Sequence, residues 1–392
     1  MTMGGLSNLL SDHLVFRPRD SAEAHRAATP LELFFDLVSV IAIAAAAAGL
    51  HHAVAEGHAL EGLPRYLMAF FAIWWAWMNY TWFASAYDDD SVAFRVLTMI
   101  IMFGALIMAA GQTLLFTELN LTVVIIGYVI MRIGMIAMWL GAARGDAERA
   151  KTARRYAAGI GIAQIFWLVL PLLLALGLPL ALLVVIGVAL ELAVPAFAER
   201  AATTPWHRHH IIERYGLLTI IVLGESLLAG SMAISTATAE GLSPGLIWMA
   251  FCGIIITFSL WWLYFCKEDH LTSTKLSRAL SWGYGHYIVF GAGAAVGAGL
   301  AVQVELATHH AHTTQMAGDM AVALPMAAFL LGLWLVRDRH LASGTALLLL
   351  PAMALVCVIC AVLPFSMTLL AAAGAVTVWL RNHPASPTHI NS

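Results

Sequence analysis

The chain has 392 residues, of which 61% are apolar and 11% charged, and its mean hydropathy is +0.83. Soluble domains are closer to half apolar and a quarter charged, so this composition excludes an ordinary soluble protein and predicts one embedded in a membrane. The net charge of −3 is uninformative, because the positions of the charges matter more than their sum. We expect the lipid bilayer to be the main partner, and we expect no nucleic-acid partner.

Apolar segments long enough to cross a bilayer recur along the whole chain. A spanning helix needs about 20 mostly apolar residues, and about twelve stretches meet that length. The ninth contains the small residues of GAGAAVGAGL (291–300) and should be central and tightly packed. We predict an all-α polytopic membrane protein with spans at 31–51, 64–84, 93–113, 121–140, 156–175, 179–197, 211–232, 244–266, 281–303, 317–336, 343–361 and 363–380.

The basic residues fall almost entirely on one side of this topology. If the N-terminus is cytoplasmic, only Arg65 lies in an outer loop, and Arg132 lies within a span. By the positive-inside rule we therefore expect an even number of spans and both termini in the cytoplasm. The inner loops would hold Arg17, Arg19, Arg26, Arg95, Arg144, Arg149, Lys151, Arg154, Arg155, Arg200, Arg208, Arg214, Lys267, Lys275, Arg278, Arg337, Arg339 and Arg381.

Short matches suggest that the two halves of the chain are repeats. Trp74-Trp75 and Phe103-Gly104-Ala105 recur at one shared offset as Trp261-Trp262 and Phe290-Gly291-Ala292. Six spans in each half make both halves enter the membrane in the same direction, which predicts a parallel repeat of the kind that places a transport site between its halves. The predicted parts are a cytoplasmic segment at 1–30, repeats at 31–200 and 201–381, and a cytoplasmic tail at 382–392.

Three stretches together resemble the bacterial low temperature requirement protein A (LtrA) family. They are TPLELFFDLV at 29–38, WWAWMNYTWFA at 74–84 with its continuation to Asp89-Asp90 and Arg95, and ERYGL at 213–217 with LGES at 223–226. Tyr284-x-His286 also resembles the family pattern, whereas Ser39 departs from it. The resemblance implies a polytopic inner-membrane protein. It implies no particular reaction.

Ionisable residues near the inner membrane face form a predicted charge network. Glu32 and Asp36 are four residues apart and share one helix face. Arg95 begins the third span at the same depth, so we expect it to be their partner. Glu213, near the inner end of the seventh span, and His286, early in the ninth, are assigned to the same network.

Asp36 and the deeper ionisable residues mark the predicted site for a substrate or a proton, because an unpaired charge in lipid is costly and is usually functional. Arg132 lies mid-span and should meet Glu191 or Glu225, with a slight preference for Glu225. Ser226 would add a hydroxyl beside Glu225. The competing interpretation is that such buried pairs only fix the register of the helices. Because the matching position in the first span is Ala44, Glu225 has no counterpart in the other half.

The aromatic stretch at 74–84 carries one amide at mid-segment. Asn79 shares a face with Trp75 and Trp82, and we expect it to hydrogen-bond another helix as part of the site. Trp82 and Phe83, near the end of the segment, are predicted to face lipid at the membrane edge.

Histidines and cysteines are candidates for metal chemistry, but the pattern favours simpler roles. Two outer histidine groups lie in predicted loops, and Cys357-x-x-Cys360 lies inside an apolar run, where small residues pack. We predict no metal site and no cofactor. His207, His209 and His210 beside Trp206 are expected to contact anionic lipid. The outer groups are His51, His52 and His58, and His309, His310 and His312.

These features favour a secondary transporter or permease of unknown substrate, for which coupling to protons is left open. One alternative is a membrane-embedded lipid-modifying enzyme, for which Asp88–Asp90 and Glu268-Asp269 are the acidic clusters on the cytoplasmic side. Another is a sensor or structural membrane protein whose charges hold the fold. The sequence contains no phosphate-binding loop and no hydrolase or zinc-protease motif.

Overall fold

A helix overlaps each of the predicted spans in the structure, a computed structural model that describes residues 14–24, 26–238, 243–267 and 271–383. Within these ranges the protein is all-helical, without strands. The helices are α1 (Pro30–Ala55), α2 (Ala59–Tyr87), α3 (Val92–Glu118), α4 (Thr122–Gly145), α5 (Ala150–Ala175), α6 (Leu180–Ala198), α7 (Arg208–Thr238), α8 (Pro244–Phe265), α9 (Leu276–Ala307), α10 (Gln315–Leu341), α11 (Leu349–Cys360) and α12 (Ser366–Asn382).

Among the described residues, eight of these helices are long and apolar enough to cross a membrane: α1, α3 to α6, and α8 to α10. The protein is therefore a multi-pass membrane protein. Membrane crossing by α2, α7, α11 and α12 stays a prediction. Gly111 interrupts α3. Near its C-terminal end, α10 contains a π-helical turn at Trp334–Asp338.

The chain forms two compact units. Unit 1 contains Met1–Ala46 and Met68–Tyr215, and unit 2 contains Ala47–Leu67 and Gly216–Ser392. These limits differ from the predicted repeats at 31–200 and 201–381, which stay a prediction. In unit 1, α3 and α4 touch through backbone at Gly104 and Gly127, where a Cβ on either glycine would lie 2.6 Å from the other's carbonyl oxygen. Small residues thus let the two helix backbones approach closely. Such close packing favours association of apolar helices in lipid, where the hydrophobic effect does not drive it.

In unit 2, α9 is the most enclosed of the long apolar helices, as its glycine and alanine content predicted. The residues of its apolar window are 83% buried, against 28% for α5 and for α6. A Cβ on Gly299 would collide with the Ala321 backbone of α10. Elsewhere in the unit, α8 packs against α12, where a Cβ on Gly374 would lie 3.0 Å from the Ser259 side chain.

The described part of the chain before α1 (residues 14–24 and 26–29, the N-terminal segment) packs against unit 1. Phe16 is fully buried beside Phe83 and Phe94, with ring centroids 6.1 and 6.0 Å away. Its backbone N–H donates to the Gly141 carbonyl at 3.2 Å. A Cβ on Gly145 would collide with the Phe16 backbone, so α4 must end in small residues to receive this segment.

Candidate functional site

A buried ion pair between Asp36 of α1 and Arg214 of α7 lies at the centre of the first charge cluster, in unit 1. Arg214 Nη2 is 2.5 Å from Asp36 Oδ1 and Nε is 3.3 Å from Oδ2, so the guanidinium holds the carboxylate by two contacts. Trp77 of α2 donates its indole N–H to the same Oδ1 at 2.7 Å. Both charged side chains are fully buried, and this pairing offsets part of their desolvation cost.

Glu32 lies one helical turn earlier in α1 and collects the other charges of this cluster. Its Oε1 is 3.0 Å from Arg214 Nη1, 3.2 Å from His210 Nε2 and 3.7 Å from Arg26 Nη2. Its Oε2 accepts the Thr29 N–H at 2.8 Å, while Thr29 Oγ1 accepts the Glu32 N–H at 3.2 Å. This reciprocal pair is a capping box that starts α1. The first helix therefore begins by fixing one member of the cluster.

The histidine gives the first cluster a place for an additional proton. His210 is fully buried, and its Nε2 must carry the hydrogen that faces Glu32, because a carboxylate only accepts hydrogen bonds. Its Nδ1 has no hydrogen-bond partner among the described residues. A proton added at Nδ1 would leave the contact with Glu32 intact, although burial lowers the pKa of the His210 ring and favours its neutral form.

Two residues assigned to the network from sequence lie outside this buried cluster. Arg95 is exposed and bound to Asp90, with Nη2 2.6 Å from Oδ2, so its predicted pairing with Glu32 and Asp36 is wrong. Arg95 binds Asp90 because Asp90, whose φ is 55°, turns the chain just before α3 and so lies close to the guanidinium. Glu213 is exposed, and its one hydrogen bond within the described part of the chain is accepted from the Ala28 N–H, at 3.4 Å.

A second charge cluster in unit 1 surrounds Glu191 of α6. Arg132 of α4 lies 3.2 Å from Glu191 Oε2, and both side chains are at most 1% exposed. Tyr128 and Trp75 donate to the two carboxylate oxygens at 2.7 and 2.8 Å, and Trp167 donates at 3.2 Å. Four donors from α2, α4 and α5 thus satisfy one carboxylate at membrane depth.

The slight preference for Glu225 as the partner of Arg132 is therefore wrong, because Glu191 takes that position. The guanidinium also hydrogen-bonds the Tyr128 hydroxyl and lies 4.5 Å from the centre of its ring. These contacts leave the Arg132 charge balanced by one acid and one aromatic face.

Glu225 and Ser226 lie in unit 2, on α7. Glu225 is half-buried and forms no hydrogen bond or ion pair with any described residue. Ser226 is buried, and its hydroxyl lies 3.1 Å from the carbonyl oxygens of Val222 and Gly293, to which it donates. The serine therefore joins α7 to α9, while the neighbouring carboxylate stays unpaired.

The α2 aromatic residues are more buried than predicted. Phe83 is fully buried, so its predicted lipid exposure is wrong. Trp82 is half-buried and donates to the Tyr215 hydroxyl at 3.1 Å. Asn79 donates to the Trp75 carbonyl of its own helix at 2.8 Å instead of bonding another helix. Aromatic packing inside unit 1, rather than lipid contact, explains this stretch.

His286 occupies a separate polar position, in unit 2. Its Nδ1 lies 2.8 Å from the Trp282 carbonyl oxygen and therefore carries the hydrogen, which leaves Nε2 to accept from the Tyr264 hydroxyl at 3.3 Å. The ring is fully buried between aromatic residues. These contacts make His286 a hydrogen-bonded core histidine, separate from the first charge cluster of unit 1.

The acidic stretch after α2 is divided between a buried and two exposed carboxyls. Burial raises the pKa of the Asp88 carboxyl to about 6, although the Asp90 N–H donates to it at 2.9 Å. Asp89 is exposed, and the Arg95 guanidinium lowers the pKa of Asp90. The matching pair Glu268-Asp269 lies outside the described residues.

The sequence assigned the partners of the first cluster to loops. Arg214 was counted as an inner-loop charge, and His210 was assigned to a lipid contact, yet both are fully buried. Their one available signal is position, because His210 and Arg214 are four residues apart and face the pair Glu32 and Asp36, which has the same spacing.

A third charged group, in unit 2, was not predicted either. Arg337 and Asp338 are fully buried, and Arg381 binds both Asp338 oxygens at 2.7 and 2.8 Å. Arg337 donates to the Leu263 and Tyr264 carbonyls at 2.6 and 3.1 Å, capping α8. It fixes helix ends.

No group of three or more potential metal ligands occurs among the described residues. Of the outer histidines, His51 Nε2 lies 3.0 Å from Glu305 Oε1. Cys357 and Cys360 are buried free thiols.

Comparison with known proteins gives the same overall class. The chain is 27% identical over 300 residues to the uncharacterized protein RA0937 of Rhizobium meliloti (strain 1021), a match that covers 72% of this chain and 71% of that protein. The family described as bacterial low temperature requirement A protein (LtrA) matches residues 27–381, which include Glu225 and every residue of both charge clusters except Arg26. The chain therefore belongs to the LtrA family.

Proposed function

We propose that this protein is a secondary transporter of the inner membrane that couples the movement of a small solute to protons. The observation that carries the proposal is the unpaired Glu225 on α7. Glu32, Asp36 and Glu191 each have a cation within 4 Å, but Glu225 has no such partner among the described residues. An ionisable group left unpaired at membrane depth is by default a functional one.

The environment of Glu225 suits reversible protonation. Glu225 is half-buried, and its carboxyl can gain or lose a proton without breaking a contact to any described residue. Gly224, on one side, has open space where a Cβ would be, and Ser226 on the other anchors α7 to α9. We infer that Glu225 is the residue whose charge changes during transport.

The buried clusters of unit 1 have different proposed roles. Because four donors saturate Glu191, we assign the Arg132–Glu191 pair to fixing helix register, and Asn79, bonded within α2, to the same framework. Asp36 remains in the proposed proton route, because Arg214 links it to Glu32 and the ring of His210.

Twelve spans, a parallel six-helix repeat and cytoplasmic termini complete the proposed architecture. One-sided placement of nearly all lysines and arginines supports the orientation. Two contacts between non-consecutive helices support the repeat, because in each half the second helix contacts the sixth. Trp75 of α2 bonds Glu191 of α6, and Ser259 of α8 packs on Gly374 of α12.

Flux in liposomes tests the transport proposal. Purified protein would be reconstituted with an internal pH-sensitive dye, and a panel of amino acids, sugars and inorganic cations would be added under an imposed pH gradient. Wild-type protein should give solute-dependent proton flux, and Glu225→Gln should abolish it because the side chain can no longer ionise. Glu225→Asp should retain part of the flux.

The matched control is Glu213→Gln, which neutralises an exposed carboxylate on the same helix. It should transport like the wild type. Transport by Glu225→Gln at the wild-type rate would refute the role of Glu225. The absence of flux for every solute, together with an unchanged phenotype of cells carrying Glu225→Gln, would refute the transporter.

A further inference from the structure

Unit 2 contains an apolar cavity between α7, α8 and α9 that the proposed transport chemistry does not use. Its volume is about 360 Å³, which is within the usual range for small-molecule sites. Among the described residues of its lining, two side chains carry hydroxyls, Ser226 and Ser231. The remaining walls are aliphatic, aromatic or glycine, and include Ile234, Ala250, Ile254 and Phe258.

Two contacts between the helices define where the cavity begins and ends. At one end Ser226 binds the Gly293 carbonyl, and a Cβ on Gly297 would lie 2.7 Å from Ser226. At the other end Leu246 and Val304 form a buried cluster against Ile234. Between these contacts α7 stands away from α8 and α9. The Ser226 hydroxyl is used in the first contact, so the cavity offers little for a polar ligand.

The wall formed by α8 includes residues that face outward. Ile254 and Phe258 line the cavity and are 42% and 59% exposed. Both α8 and α9 are long and apolar enough to span a membrane, so an outward-facing side chain at this depth meets lipid hydrocarbon and not water. The cavity is therefore open to the bilayer.

The geometry points to one acyl chain of a membrane phospholipid as the occupant of this cavity. Ser226 and Ile234 are eight residues apart, which corresponds to about 12 Å along a helix. One leaflet of the hydrocarbon core is about 15 Å deep, so the cavity matches the length of a single chain within one leaflet. This inference goes beyond the transport proposal and does not depend on it.

Photocrosslinking tests this lipid site. Full-length protein in nanodiscs would be exposed to phosphatidylethanolamine carrying a diazirine on its acyl chain, irradiated, and digested for mass spectrometry. Adducts should concentrate on residues 249–258 of α8 and residues 227–234 of α7. Ala250→Phe, which fills the cavity, should remove most of them. Ser231→Phe does the same from an exposed position that tolerates a larger side chain.

The control is Phe251→Leu on the outer face of α8, which should leave the adducts in place. Unlabelled phospholipid in excess should displace the label. Equal labelling of all outward apolar faces, or unchanged labelling in filled variants that elute and melt like the wild type, would overturn the proposal. Displacement by free oleate but not by phospholipid would also overturn it, in favour of a free fatty acid.

Discussion

Arg214 grips Asp36 through two atoms, with Nη2 2.5 Å from one carboxylate oxygen and Nε 3.3 Å from the other. This contact joins the seventh helix to the first within unit 1. Because both groups are fully buried, removing either one leaves a charge whose desolvation is only partly compensated. Replacing one member of the pair should therefore cost more stability than replacing both.

The first prediction concerns this pair. Asp36→Asn should lower the free energy of unfolding by about 3–5 kcal/mol, because Arg214 then keeps only Glu32 as a charged partner. The double variant Asp36→Leu/Arg214→Met should recover part of that loss, since apolar residues replace both charges while Glu32 keeps His210 and Arg26 as partners. Chemical unfolding in detergent micelles measures both effects.

Arg95→Ala is the control for this pair, because it breaks the exposed contact with Asp90 and should leave the unfolding curve unchanged. A double variant less stable than Asp36→Asn would contradict this prediction. The pair would then stabilise the folded protein by more than the neutralisation of each other's charge.

A second prediction concerns the hydroxyl shared by Arg132 and Glu191. Tyr128→Phe removes a hydrogen bond to a buried carboxylate and should cost about 1.5–3 kcal/mol of stability. Tyr287→Phe removes a bond to the neutral Leu67 carbonyl and should cost about 0.5–1.5 kcal/mol. Thermal unfolding of the two variants side by side compares them, and equal losses would contradict a special role for the charged acceptor.

The third prediction concerns docking of the N-terminal segment. Gly145→Ala places a methyl group against the Phe16 backbone and should displace the segment from α4. The result should be faster trypsin cleavage at Arg17 and Arg19. Gly161→Ala is the matched control, because its nearest neighbour would be Ile136 Cδ1 at 3.9 Å. Cleavage of Gly145→Ala at the wild-type rate would show that the contact does not hold the segment.

A fourth prediction follows from the Asp88 carboxyl, whose pKa rises from 3.8 to about 6 on folding. The folded protein then binds this proton more tightly than the unfolded chain does. Asp88 therefore lowers stability above pH 6, and the loss is relieved as the pH falls from 6 towards 4. The difference in the Asp88 pKa between the folded and the unfolded protein corresponds to about 3 kcal/mol in the free energy of unfolding.

Asp88→Asn should consequently be more stable than the wild type at pH 7 and close to it at pH 4, as measured by chemical unfolding across that range. Asp89→Asn, one residue away on an exposed side chain, should follow the wild type at every pH. A constant difference between Asp88→Asn and the wild type would rule out titration of Asp88 as the cause.

The positions of the helices were predictable because a bilayer demands a minimum apolar length, and that length is visible in the chain itself. The glycine-rich stretch at 291–300 was also predictable, since small residues have few other uses inside an apolar helix. Both inferences depend on local composition alone.

The partners of the charges were harder to predict, because pairing depends on which helix faces which. Arg95 seemed the natural partner of Asp36 by depth, yet the local turn at Asp90 binds it. Arg214, placed in a loop by its position at the start of a span, is instead buried by the packing of α7. The sequence predicts Glu191 or Glu225 as the partner of Arg132, and the structure confirms Glu191. Hydropathy alone cannot distinguish the two acids, because both lie within apolar spans.

Phe16 precedes α1, yet the two glycines that receive it lie at the far end of α4. Phe83 and Phe94 precede these glycines, so a ribosome must deliver four helices before the binding site for this phenylalanine is complete. Translation intermediates that stop before residue 141 should leave residues 14–24 open to protease, and those that extend past 145 should protect them. Docking of Phe16 would thus report, during biogenesis, that the first four helices have been assembled.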